Sequence, residues 1–289
     1  PPSYPRRFAI INADDFGFSP GVNQAIATAH TQGVLTSTSL MVTGDAAEEA
    51  IALAKSHPTL AVGLHLVLVC GRAVLPPCKI PHLVDAAGNF SVNPTTAGLR
   101  YQFVPAARAE LRQEIRAQLE KFRATGLPLS HVDGHLHLHS HPVVLRILVD
   151  LASEFNIKFI RLPSEELSFN LQLDSRRFWI KLVWSAVFGQ LRRYGENLLQ
   201  SQGIGFANRV YGLLQTGGMS EEHLLGLIPQ INDNLIEIYF HPAIAVANEL
   251  QNGSSDAGEA ELTALLSQRV REALSTNDFE LTNYSTLPL

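Results

Sequence analysis

Residues 131–142 read His-Val-Asp-Gly-His-Leu-His-Leu-His-Ser-His-Pro and hold five of the chain's eleven histidines. His131, Asp133, His135, His137, His139 and His141 share one parity. On a strand all of them would face one side, with Val132, Leu136 and Leu138 opposite. An apolar core has no use for a row of imidazoles, whereas neutral imidazole is the commonest metal ligand. The plainer reading is a His-rich surface stretch. The strict alternation and the enclosed Asp133 favour a metal site over it. Not all of the row can serve one ion, and Pro142 marks a helix start, so the strand ends partway along.

Other residues at strand ends could complete such a site. Asp14 and Asp15 follow the apolar run Phe8–Ile11, His65 follows Val62-Gly63-Leu64, Arg161 precedes Leu162-Pro163, and His241-Pro242 follows Leu235–Phe240. Asp15, His65 and His135 would make a site of two imidazoles and one carboxylate. Three protein ligands leave a position open for water, the mark of a catalytic rather than a structural metal. Alone, His65 reads equally well as a satisfied core histidine, and the Asp pair as a turn or helix cap. Adjacent carboxylates point differently, however, so one can hold the ion while the other takes the proton of an acidified water.

Parity does not settle which histidine of the row ligates. His135, at the strand end, comes first. His137 or His139 is then a second or substrate contact, and His131 and His141 are bystanders. Asp133 could fix the tautomer of a ligand imidazole from behind. Arg161 could pair with Asp14 and keep it ionised. His241 could protonate a departing amine, although a plain strand-end His-Pro turn is nearly as good a reading. The ligand types lean to zinc, while the oxygen donor and open position leave magnesium or manganese open.

The 289 residues, 46% hydrophobic and 17% charged, suffice for one barrel-sized domain or two smaller ones. A net charge of -5 and a pI of about 6.1 give no basic excess for nucleic acid. Cys70 and Cys78 fit neither a disulfide framework nor a zinc ribbon, and read as core or loop thiols in a reducing compartment. No signal peptide opens the chain as given, and no apolar run of about 18 residues is long enough to span a bilayer. The expectation is a cytoplasmic protein, with the inner membrane face as a second location.

Strand and helix alternate along the sequence. Strands are expected at 8–11, 34–42, 61–66, 129–133, 158–163, 206–214, 235–240 and 279–282, and helices at 20–32, 45–56, 106–123, 142–155, 175–200, 220–228 and 259–274. Residues 68–104 lack a period and are expected to be a long loop. Such alternation gives a parallel sheet with crossovers. Polar residues after strands converge at one mouth in a (β/α) barrel, whereas an open doubly wound sheet would spread them and lacks its glycine-rich turn here. The expected fold is an irregular TIM-like barrel of about seven parallel strands, one domain over residues 1–289.

The blocks Asn12-Ala13-Asp14-Asp15-Phe16-Gly17, Gly63-Leu64-His65-Leu66, His131-Val132-Asp133-Gly134-His135-Leu136-His137, Arg161-Leu162-Pro163 and Phe240-His241-Pro242 together resemble the YdjC family of carbohydrate deacetylases. The resemblance covers most of the chain. It implies an irregular TIM-like barrel that removes N-acetyl groups from amino sugars with one divalent ion. Asp15, His65 and His135 would be its ligands, Asp14 the base, and His241 and Arg161 the acid and an anchor. Two positions depart from the family pattern: Gly134 replaces a frequent serine, and Ala243 a glycine. The chain looks most like the HpnK branch associated with hopanoid biosynthesis, which implies an N-acetylglucosaminyl hopanoid as substrate.

Residues 178–188 contain both tryptophans, Trp179 and Trp184, between Arg176-Arg177 and Arg192-Arg193. Their apolar residues go nearly all round, as on a helix packed into a core, and that reading stands first. The functional reading is substrate contact through the tryptophans, or peripheral membrane contact through 176–193. Three alternatives stay open: a deacetylase of soluble chitooligosaccharides, a metal phosphoesterase, and a non-enzymatic peripheral membrane protein. A homodimer is also open.

Overall fold

Runs of apolar residues without polar alternation suit strands covered on both faces. In the computed structural model, which describes residues 6–164, 178–213, 215, 217–246 and 255–287, these runs form a seven-stranded sheet: β1 (Arg7–Phe16), β2 (Ser37–Leu40), β3 (Ala61–Leu66), β4 (Val132–Gly134), β5 (Arg209–Tyr211), β6 (Leu235–Phe240) and β7 (Phe279–Thr282). The spatial order is β4-β3-β2-β1-β6-β5, with β7 also on β1, and every strand pairing is parallel. β1 is central. β6 lies along one edge, while β7 and β2 share the other, β7 on Arg7–Ile10 and β2 on Asn12–Phe16.

The helices are α1 (Pro20–Gln32), α2 (Ala47–Ser56), α3 (Pro94–Phe103), α4 (Pro105–Ala124), α5 (Pro142–Phe155), α6 (Phe178–Gln200), α7 (Glu221–Leu227), α8 (Ser255–Leu266) and α9 (Gln268–Thr276). Ser19, Asn93 and Ser220 cap α1, α3 and α7 by accepting a backbone N–H from the first turn. One hydrophobic cluster draws on the sheet and most of the helices, from Ala9 of β1 to Leu274 of α9. No helix among the described residues is long and apolar enough to cross a membrane.

The sheet curls into a half-barrel, and among the described residues no continuous ladder closes it. The expected strand at 158–163 is the reason. It makes only single bridges: Ile160 with Val132 of β4, Phe159 with Gly205, and Ser164 with Val210 of β5. Pro163 has no N–H to give to a ladder. The expected strand at 206–214 shortens to Arg209–Tyr211, and that at 129–133 to Val132–Gly134.

The excursion at 68–104 contains α3, which its lack of a clear period concealed, and is fixed rather than loose. Three side chains at helical spacing on α4 hold its backbone. Gln118 takes the N–H and C=O of Val67, Glu114 accepts from Val74 and Leu75, and Glu110 accepts from His82. α4 thus buries Glu110, Glu114 and Gln118 together with its apolar face. Each carries hydrogen bonds that offset its desolvation. Cys70 and Cys78 are exposed free thiols, not core residues.

Candidate functional site

The site begins with an irregularity in β1. The register with β2 shifts between Ala13 and Phe16, and Asp15 adopts a left-handed φ of 63°. Bulges of this kind re-aim side chains at strand ends. Gly17 follows at φ 93°, and a Cβ there would lie 3.1 Å from backbone atoms of Met41 and Ala47, so the turn after the Asp pair requires glycine.

β3 brings His65 and β4 brings Asp133 into register as direct neighbours. His65 Nδ1 lies 2.8 Å from Asp133 Oδ1. A carboxylate only accepts, so His65 donates through Nδ1–H, and Nε2 is the nitrogen turned to Asp15, 3.2 Å from its Oδ1. His135 Nδ1 lies 3.0 Å from that same oxygen. The ligand atoms of Asp15, His65 and His135 all fall within 4.8 Å of one another, and all three residues are buried.

These donors fit a divalent cation. A bare imidazole nitrogen and a carboxylate oxygen at such a distance repel as two acceptors, so positive charge must lie between them, either as ring protons or as one shared ion. Burial works to lower the His65 pKa, but Asp133 and Asp15 outweigh it and push it up to about 10 when only protons are available. Burial likewise works to raise Asp15, but His135 and His65 hold it well below the usual carboxylate range. The surroundings are rich in buried carboxylates: Asp14, Asp133 and Glu237 pair with the guanidinium of Arg161, and Asp15 is buried as well.

Arg161 reaches this cluster from the segment that failed to become a strand. Its Nη1 and Nη2 donate to Asp14 Oδ2 and Oδ1 at 2.7 and 2.8 Å, a two-pronged clasp. Nη2 also lies 2.8 Å from Asp133 Oδ2, and Nε donates to Glu237 Oε1 at 2.9 Å. Asn12 donates to Asp14 Oδ1 and to Ser39 Oγ, and Ser39 donates to Asp133 Oδ2. Every carboxylate of the cluster is thus held by at least two partners.

The histidine row does not share one strand face. The strand ends at Gly134, and His135–Ser140 is a 3₁₀ turn in which Leu136 and His137 are left-handed, with φ of 48° and 58°. The row is dealt out accordingly. His131 points back beneath the site, stacked on Tyr284 at 4.4 Å and bonded to Ser130 and Ser39. Gly63 makes room for it, since a Cβ there would sit 2.4 Å from the ring. His137 Nε2 meets Tyr239 OH at 3.0 Å, with Phe188 edge-on at 5.6 Å. Nε2–H of His139 donates to the Arg161 carbonyl at 3.0 Å. His141 caps α5 by accepting from Val143 N–H.

His241 follows β6. Its ring lies edge-on to Tyr239 at 5.7 Å, and its backbone N–H donates to the buried Glu261 of α8 at 2.5 Å. Burial pushes the Glu261 carboxyl up, with His241 opposing. The side chains of Trp179 and Trp184, and residues Arg176 and Arg177, lie outside the described residues. Sequence reasoning missed Asn12, Ser39, Glu237, Glu261 and Tyr284. A charge between Ile236 and Ile238 in a doubly covered strand was a usable signal for Glu237.

Residues 8–276 match the family model described as YdjC-like protein. A carbohydrate deacetylase of Brevibacillus brevis is 34% identical over 282 residues, 96% of this chain and 98% of that protein. A carbohydrate deacetylase of Vibrio cholerae is 32% identical over 279 residues, 96% and 95% of the two chains. Among solved structures, one from Enterococcus faecalis described as a cellobiose-phosphate cleavage protein superposes with a TM-score of 0.79 at 28% identity, covering 98% of this chain and 100% of its own. The match runs through every element that carries the Asp–His cluster, and the chain belongs to the YdjC-like family of carbohydrate deacetylases.

Proposed function

We propose that the protein is a metal-dependent N-deacetylase acting on an acetylated amino sugar carried by a hopanoid-type lipid. The observation that carries the reading is Asp14, clasped by Arg161, next in sequence to the Asp15–His65–His135 cluster in a family of carbohydrate deacetylases.

A divalent cation held by Asp15, His65 and His135 would polarise the amide carbonyl and acidify a water beside it. Asp14 accepts the proton as the water oxygen bonds to the carbonyl carbon. Arg161 holds the plane of that carboxylate during the transfer. His241 gives a proton to the amine nitrogen as the C–N bond breaks, and acetate and a free amino sugar leave. His137, with Tyr239 and Phe188 around it, offers a face for the sugar.

Support for an apolar portion of the substrate comes from the rim. Leu136, directly after His135, and Val187 of α6, which touches this turn, are each 48% exposed. Leu99 and Phe103, one turn apart on α3, which also touches the turn, are exposed as well. Exposed apolar residues gathered on neighbouring elements mark a contact surface.

The test is acetate release from an N-acetylglucosaminyl glycolipid and from a chitobiose-type sugar, before and after chelation. The reading predicts acetate, faster from the glycolipid, abolished by chelator and restored by added metal. Phosphate release from sugar phosphates without acetate would contradict it, and preference for the soluble sugar would contradict the lipid assignment.

A further inference from the structure

Arg161 is gripped on two edges. Asp14 takes Nη1 and Nη2, and Glu237 Oε1 takes Nε and Nη2. The other oxygen of Glu237, Oε2, accepts from the hydroxyl of Tyr284. Tyr284 lies beyond the last strand, its ring stacked on His131 and tilted against Phe159 at 5.4 Å. All of these groups are buried, Arg161 and Glu237 at 0% exposure and Tyr284 at 2%.

A guanidinium is a rigid planar fork, so the orientation of its plane fixes where both acceptors lie. Asp14 and Asp133 hold only the Nη end of the fork, which leaves the plane free to rock about that end. Glu237 pins the adjoining edge, and the Tyr284 hydroxyl leaves Oε1 as the oxygen that faces Arg161. Glu237 sits on β6, the strand that pairs with β1 across Ile10, two positions before Asn12 and four before Asp14. The clasp therefore ties the base to the sheet rather than to a loop. A buried ionic chain contributes little to stability over apolar packing, so its presence calls for another role.

We infer that Glu237 and Tyr284 are positioning residues of the reaction, acting through Arg161 to set the carboxylate plane of Asp14, an inference that rests on the deacetylase reading above. Neither residue touches substrate. Glu237 lies two hydrogen bonds behind the base and Tyr284 three.

The experiment compares steady-state acetate release by the metal-loaded full chain with that of Glu237→Gln, Tyr284→Phe and the double variant, all near-isosteric. Glu237→Gln is expected to lose roughly 10- to 100-fold in kcat with KM and metal content unchanged. Tyr284→Phe is expected to lose less, in the same parameter. The double variant is expected to be no slower than Glu237→Gln, because Tyr284 acts only through Glu237. A single variant with wild-type kcat, losses that multiply in the double variant, or a loss seen in KM or metal content would overturn the inference. A second readout is independent of turnover: the Arg161 Nε–H signal in nitrogen-15 NMR. That proton bonds to Glu237, and its signal is expected to shift in both single variants; an unmoved signal would overturn the inference. A wild-type chain that releases no acetate refutes the deacetylase reading instead, and the NMR signal then decides the tie by itself.

Discussion

Asp133 Oδ1 accepts the Nδ1–H of His65 at 2.8 Å, and this bond decides which ring nitrogen is left for Asp15 and a cation. Asp133→Asn can turn an N–H toward the ring and release the tautomer. Metal affinity is expected to fall about 10- to 100-fold, measured by competition with a chromophoric chelator. Unchanged affinity would show that Asp133 does not govern the ring.

Arg161 sits amid Asp14, Asp133 and Glu237, with no exposure to water. A lysine cannot form the two-pronged clasp or reach all three acceptors. Arg161→Lys is expected to cost about 3–5 kcal/mol of stability, the range for breaking a buried ion pair. Urea unfolding of the metal-free chain measures it, and a cost below about 1 kcal/mol would mean the carboxylates do not depend on Arg161.

Gly63 stands where a Cβ would lie 2.4 Å from His131 Cε1, and His131 is locked between Ser130, Ser39 and Tyr284. Gly63→Ala is expected to cost about 1–3 kcal/mol through overpacking. Adding His131→Ala should return part of that loss in the same unfolding assay. Simple addition of the two costs would place the clash elsewhere.

His139 is buried with a pKa lowered to about 4, by burial first, with Arg161 adding and Asp133 opposing. The unfolded chain takes up a proton near 6.5 that the folded chain refuses until about 4. Stability from this group is therefore full above about pH 6.5 and is lost as pH falls through that window, by roughly 3 kcal/mol in all. His139→Asn, which keeps a donor for the Arg161 carbonyl, should flatten the fall in unfolding free energy between pH 6.5 and 4 by about one proton. His137, also held low by burial, keeps its share of the slope in the variant. Equal slopes for the two chains would contradict the assignment.

The convergence of Asp15, His65 and His135 was legible because each is of a type that can ligate a metal and stands at the end of an apolar run, and parallel strands bring such ends together. Arg161 was legible for a similar reason, although its segment never paired as a strand. The histidine row was legible in part: the strand was expected to end partway along it and does so at Gly134, but the left-handed Leu136 and His137 turn the chain after His135, and nothing in those residue types announces a positive φ. Glu237 could have been found as a charge in a buried run. Tyr284, Ser39 and Asn12 could not, since a tyrosine after the last strand or a serine in Ser37–Leu40 gains its role only from distant partners. The polar stripe Glu110, Glu114 and Gln118 sits at helical spacing and looks like a solvent face until the excursion folds onto it.

One cation shared by three side chains is measured most directly by anomalous diffraction from crystals grown with zinc. The predicted result is a single strong peak per chain, bonded to Asp15, His65 and His135 together, and absent in His135→Ala. A peak bonded elsewhere, or none among these three residues at saturating zinc, would contradict it.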